Sequence, residues 1–235
     1  MVKVALCFYG QPRYVNNTSV PESYEKYFNR PDYEVTTFGH CWYSQDAVYK
    51  STSWMQSHED YVVDPNTINT LQSYYNFDKF LVERPKTFMF LNDEIREKYK
   101  KINHSINFSF SELRENNILS HLYSIEAVTR LVPETFDFYV LCRYDTVITD
   151  IPDLTKSDPD RVYFPDCGDF SDIVIILGKK FLEWPRHTYS MSQSQYLPID
   201  LFIPEHFKKY VFYNYNFTRE DTIVCPMFGH IARSE

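Results

Sequence analysis

Apolar residues in this chain fall in short runs, set apart by polar stretches in which helical spacing recurs. Val2 to Phe8 (VKVALCF) is the first run, and Tyr9-Gly10-Gln11-Pro12-Arg13 stops it, so the pattern predicts a strand entering a turn. Ser19 through Asn29 sets Val20, Tyr24, Tyr27 and Phe28 on one helical face. Tyr33 to Phe38 (YEVTTF) predicts a second strand, ending in Gly39-His40-Cys41-Trp42. Strand, helix, strand in that order is a βαβ unit, the building block of a parallel sheet.

Ser44 to Tyr61 has no clear period and is expected to be a loop over the site. Asp64-Pro65 opens a helix expected to reach about Tyr75, since an acidic cap followed by proline suits a first turn. Asp78 to Glu83 (DKFLVE) predicts a third strand. From Phe110 to Leu131, Leu113, Ile118, Leu122, Ile125 and Val128 fit one long helix, which delivers the chain to Phe136–Asp145 (FDFYVLCRYD). That run reads as a buried strand closing on Arg143-Tyr144-Asp145. Beyond it, Arg161 to Phe164 and Asp172 to Leu177 predict short strands. Helices are expected from Lys179 and from Ile203-Pro204-Glu205 to about Tyr210, and a final strand over Val211 to Tyr215. Without repeats or a long linker, residues 1–235 are read as one α/β domain.

Composition narrows the field. Aromatic residues make up 18% of the 235, with 20 Tyr and 19 Phe, and the larger share of that excess is expected from AT-rich coding, the smaller from a sugar or base groove. A net charge of −8 argues against non-specific nucleic-acid binding. No window reaches the length of a membrane span and no signal peptide is seen. Five scattered cysteines without CxxC spacing predict neither zinc nor disulfides, hence a reducing compartment, the cytoplasm.

The chemistry-bearing residues cluster where the predicted strands end, which is where open α/β sheets bind ligands. Gly10 permits close backbone approach and Arg13 suits a phosphate; neither a GxGxxG nor a P-loop is present. Trp42 offers a stacking face beside His40. Arg143 and Asp145, two apart on a strand, share a face. They read either as an ion pair at the sheet end or as a site in which Asp145 holds a divalent cation, with Asp150 and Asp153 close by. In the acidic segment Asp166, Asp169 and Asp172, the last is the candidate general base.

Taken together, GQPR after the first strand, HxW after the second, FDFYVLCRYD, DIVIILGKKFLEW, IPE and Arg219 resemble compact GT-A-type glycosyltransferases of large DNA viruses and bacterial surface-polysaccharide clusters, whose segments read like SGQPR, HxW and YDxVIRxRxD. The resemblance spans Val2 to about Arg219. It implies a GT-A-like, Rossmann-like fold, with a nucleotide-sugar side at about 1–150 and an acceptor side at about 151–235. It further implies a nucleotide-diphosphate sugar donor, a glycan acceptor, and Gly10, Gln11 and Arg13 near the nucleotide or diphosphate. His40, Trp42, Arg143 and Tyr144 complete the expected donor site, and Asp145 takes the metal position for Mn2+ or Mg2+. His230 and Asp221 are further candidate contacts. The chain departs from DxD in having Arg143 two before Asp145, so Arg143 itself could offset diphosphate charge. A non-catalytic nucleotide- or carbohydrate-binding module of the same fold stands as the alternative, and a nucleotidyltransferase fits GQPR poorly.

Overall fold

The computed structural model describes residues 1–13, 15–46, 48–50, 60–62, 64–102, 110–165, 170–171, 173–226 and 229–231. In chain order the elements are β1 (Val2–Gly10), α1 (Ser19–Phe28), β2 (Tyr33–Trp42), β3 (Val48–Lys50), β4 (Asp60–Val62), α2 (Thr67–Tyr75), β5 (Lys79–Glu83), α3 (Asp93–Lys100), α4 (Glu112–Leu131), β6 (Phe138–Arg143), β7 (Thr146–Ile148), β8 (Val162–Pro165), β9 (Val174–Gly178), α5 (Thr188–Ser194), α6 (Pro204–Asn214), β10 (Thr222–Cys225) and β11 (Gly229–Ile231).

Seven strands form the central sheet in the order β10-β8-β9-β6-β1-β2-β5. All neighbouring pairs run parallel except those of β9, which is antiparallel to both β6 and β8. The expected α/β fold with a mostly parallel central sheet flanked by helices is therefore what the chain adopts.

The continuous apolar run of β1 is explained by its two buried faces. Val4, Leu6 and Phe8 meet α1 and α2 through Val20, Tyr24, Phe28 and Leu71. Ala5, Cys7 and Tyr9 meet α4 through Ile125 and Val128. Side chains alternate across a strand, so a strand covered on both sides must be apolar at every step. A second stripe of α4 (Ile118, Leu119, Leu122) packs with Tyr99, Phe202, Phe207 and Val211 in a third cluster. Ser111 caps α4, its side chain accepting from Arg114 N. Buried Glu115 ties α4 to Arg96 of α3 at 2.7 Å and accepts from Phe90 N at 2.9 Å. Cys7, Cys41 and Cys142 are buried free thiols, and burial pushes Cys142 up to about 12.

Several expectations are corrected. Val211 to Tyr215 is no strand: α6 continues to Asn214, because Phe207, Val211 and Phe212 recur at helical spacing and are buried together. The last strands are the short β10 and β11. The expected loop at 44–61 contains β3 and β4, paired antiparallel. The helix expected from Lys179 is a single 3-10 turn, Lys179–Phe181. Two helices went unanticipated, α3 and α5. Among the described residues no helix is long and apolar enough to cross a membrane.

Gly178 closes β9 where a side chain cannot fit: an added Cβ would overlap the carbonyl oxygen of Pro159. Gly178→Ala must displace backbone, and is expected to lower stability by about 2 kcal/mol. Thermal unfolding should show this as a fall in Tm of about 4–8 °C, and an unchanged Tm would refute the packing account.

Candidate active site

Strand β1 is where the sheet changes direction. Its chain leaves through α1 to β2 on one side, while its other neighbour, β6, is reached only after α4. The two helices cover opposite faces. Loops leaving the carboxyl ends of β1 and β6 therefore diverge, which is the topological switch point where open α/β sheets take ligands. The loop after β1 is Gly10–Arg13, and the one after β6 carries Asp145.

Gly10 has φ of +103°, a conformation that side chains oppose, and an added Cβ would find no atom within 4 Å. Among the described residues, nothing fills the space beside this partly buried backbone. Next, Arg13 N donates to Gln11 O at 2.9 Å, closing a three-residue turn around Pro12. Proline's fixed φ suits the centre of such a turn. The turn brings the two flanking side chains together, with Arg13 Nε and Nη2 donating to Gln11 Oε1 at 3.0 and 2.8 Å.

At the end of β6, Arg143 and Asp145 form the shared-face pair expected from their spacing. Arg143 Nε donates to Oδ1 at 2.8 Å and Nη2 to Oδ2 at 2.7 Å. The Asp145 side chain is 2% exposed and that of Arg143 17%, so the carboxylate is sealed beneath its guanidinium. Tyr144, between them, turns to the opposite face. It is buried and stacks on Phe8 with centroids 5.7 Å apart, which makes it part of the core under the site.

His40 and Trp42 end β2. Tyr9 is the register partner of both His40 and Arg143, so the three lie in one row on the α4 side. Both His40 and Trp42 are buried. His40 Nε2 lies 3.0 Å from Glu83 Oε2, and since a carboxylate only accepts, Nε2 carries the proton. Trp42 stacks on Tyr123 of α4, centroids 5.5 Å apart. Glu83 Oε1 also accepts from Tyr123 at 3.2 Å and Lys86 at 3.3 Å, and the Lys86 ammonium sits 4.1 Å from the Tyr123 ring centroid. Glu83, Lys86 and Tyr123 were not anticipated. The signal for Glu83 was present, because it ends a predicted strand as Trp42 and Arg143 do.

Other candidates lie apart from this cluster. Asp153 is engaged by Thr155 and Lys156, which hold its carboxyl at about 2. Asp221 caps a 3-10 turn beside the edge strand β10, accepting from Thr218 N at 2.8 Å. Asp150 accepts from Ile151 N. His230 is opposite Val147 in the β7–β11 pair. Asp166, Asp169 and the candidate base Asp172 lie outside the described residues.

A divalent cation needs several oxygen ligands at once. Among the described residues no three His, Cys, Asp or Glu side chains come together. Asp145 has each oxygen on an Arg143 N–H, and a guanidinium occupies the space where a cation would approach. The described donors alone do not complete a set for such an ion. At the end of β1 the turn also holds a guanidinium, a group able to contact an anion.

No protein-family model matches the chain, and no curated protein does. Among solved structures it is similar to the crystal structure of a glycosyltransferase involved in the glycosylation of the major capsid of PBCV-1. The identity is 10%, the match covers 96% of this chain and 82% of that one, and the TM-score is 0.39. At that score the likeness carries no functional argument.

Two outcomes are expected. Asp145→Asn removes a carboxylate from two ionic hydrogen bonds to a mostly buried guanidinium and should cost about 3 kcal/mol in urea unfolding. A loss within error of zero would mean that the pair does not hold the sheet end. Burial holds the His40 imidazole below its ordinary value, with the Glu83 carboxylate only partly offsetting this. The unfolded chain therefore binds the proton first, and stability should fall as pH drops below about 6.5. His40→Gln should flatten the Tm profile between about pH 7 and pH 5; an identical slope in variant and wild type would contradict it.

Proposed function

We propose that the chain transfers a sugar from a nucleotide-diphosphate sugar to a hydroxyl of a glycan acceptor. One observation carries this reading: two arginine-bearing loops, Gly10–Arg13 and Arg143–Asp145, leave adjacent strands at the switch point of the sheet. An anionic nucleotide is the ligand class that such a place accommodates. The sequence resemblance of GQPR, HxW and RYD to glycosyltransferase segments supports the choice of reaction.

In this reading the bond between the sugar's anomeric carbon and the diphosphate breaks, and its electron pair leaves on the phosphate oxygen. The acceptor oxygen bonds to that carbon, and its proton passes to a carboxylate, for which Asp172 is the proposed base. The charge that builds on the departing diphosphate needs fixed donors at the end of β1. Arg13 and the backbone at Gly10 supply them. His40, Trp42 and Glu83 hold the neighbouring strand ends in place from beneath.

Thermal shift with UDP-, GDP- and dTDP-sugars, each with and without manganese, followed by an assay for free nucleotide, tests this. At least one donor is expected to raise Tm and to release its nucleoside diphosphate in the presence of an acceptor glycan. Binding without release from any donor would favour a non-catalytic module, and the absence of any binding would overturn the assignment.

A further inference from the structure

The two arginines at the switch point are held by partners of different charge. Arg143 lies against the Asp145 carboxylate through two ionic hydrogen bonds, so its guanidinium is already engaged by an anion. Arg13 likewise donates from Nε and Nη2, but both hydrogen bonds converge on one neutral amide oxygen, Gln11 Oε1. Among the described residues no carboxylate lies within ion-pair distance of Arg13. Its guanidinium is oriented by these two hydrogen bonds, and no described carboxylate offsets its positive charge.

We infer that Arg13 anchors the diphosphate and that Gln11 is its positioning residue, chosen by charge: an acceptor that aims the guanidinium without neutralising it. The inference rests on the nucleotide-sugar reading above and assigns the two arginines separate work. Arg143 stays engaged with Asp145 at the end of β6, while Arg13 supplies the cation.

Three local features support the assignment. Pro12 is buried and centres the turn that joins the Gln11 and Arg13 side chains, so the fork is built into the backbone. Gly10, immediately before it, leaves open space where a phosphate can approach the chain. A guanidinium using Nε and one Nη2 hydrogen on Gln11 has three further N–H donors in its plane, a geometry matched to phosphate oxygens.

The deciding variant is Gln11→Glu, which keeps size and both hydrogen bonds but turns the neutral acceptor into a carboxylate. A purely structural Gln11 would tolerate it, because the contact to Arg13 becomes stronger. The inference requires the opposite for the ligand. Binding of UDP, GDP, ADP and dTDP is measured by calorimetry, and the tightest is compared with its monophosphate. Gln11→Glu should weaken the diphosphate by about tenfold, the loss of one charge-assisted contact. The monophosphate should change less, and Tm should stay near wild type. Arg13→Gln should give the same diphosphate-selective loss, which keeps the test alive if the first variant folds poorly. Unchanged diphosphate affinity in Gln11→Glu, in a protein that still releases nucleotide from a donor sugar, overturns this inference and leaves glycosyl transfer standing. If the wild-type chain binds no nucleoside diphosphate, with or without manganese, both fall.

Discussion

The constraint on which the structure depends is that β1 is buried on both faces. A strand so placed needs a helix on each side, and the chain meets that need with α1 and α2 on one face and α4 on the other. Because these helices come from connections lying on opposite sides of β1, its two neighbours, β2 and β6, are reached by opposite routes. The loops at their carboxyl ends must separate there. The position of the candidate site thus follows from hydrophobic burial of the six residues 4–9 at the start of the chain.

Electrostatics then differentiates the ends of the strands. At β6 a carboxylate engages a guanidinium in a mostly buried pair. At β2 and β5, His40, Lys86 and Tyr123 converge on the Glu83 carboxylate beside the stacked Trp42. Partial burial opposes ionisation of Glu83, but hydrogen bonds from His40 and Tyr123 and the nearby Lys86 charge hold its carboxyl below the usual range. At β1 alone, the cation is held by a neutral group beside the Gly10 backbone. Rigid neutral surroundings make that one charge count for more, because a ligand need not displace a competing carboxylate.

Much of the fold was legible because its strands are apolar runs too short for helices and too dense for loops. VKVALCF, YEVTTF and FDFYVLC could scarcely be read otherwise. The long α4 was legible from its spacing. What escaped was marginal in pattern: α3 has only Ile95 and Tyr99 as buried residues and is fixed by its Asn92 cap. Aromatic and β-branched composition disguised the last turns of α6 as a strand. For the site, the strand-end residues were visible, and so was the shared face of Arg143 and Asp145. Tyr144, expected in the donor site with them, instead stacks on Phe8 on the opposite face, because side chains alternate along the strand. The contact between Gln11 and Arg13 was not legible, since it depends on a turn that sequence spacing does not specify.

A diphosphate held at the switch point, at the end of β1, is the proposal from which the roles of Gly10, Gln11 and Arg13 follow. A crystal structure of the protein soaked with its tightest-binding nucleoside diphosphate tests that proposal most directly. The account requires the diphosphate to lie against the Gly10 backbone with the Arg13 guanidinium in hydrogen-bond contact, and the Arg143–Asp145 pair intact beside it. A diphosphate bound at any other strand end, or one that displaces Asp145 from Arg143 while leaving Arg13 untouched, would contradict it.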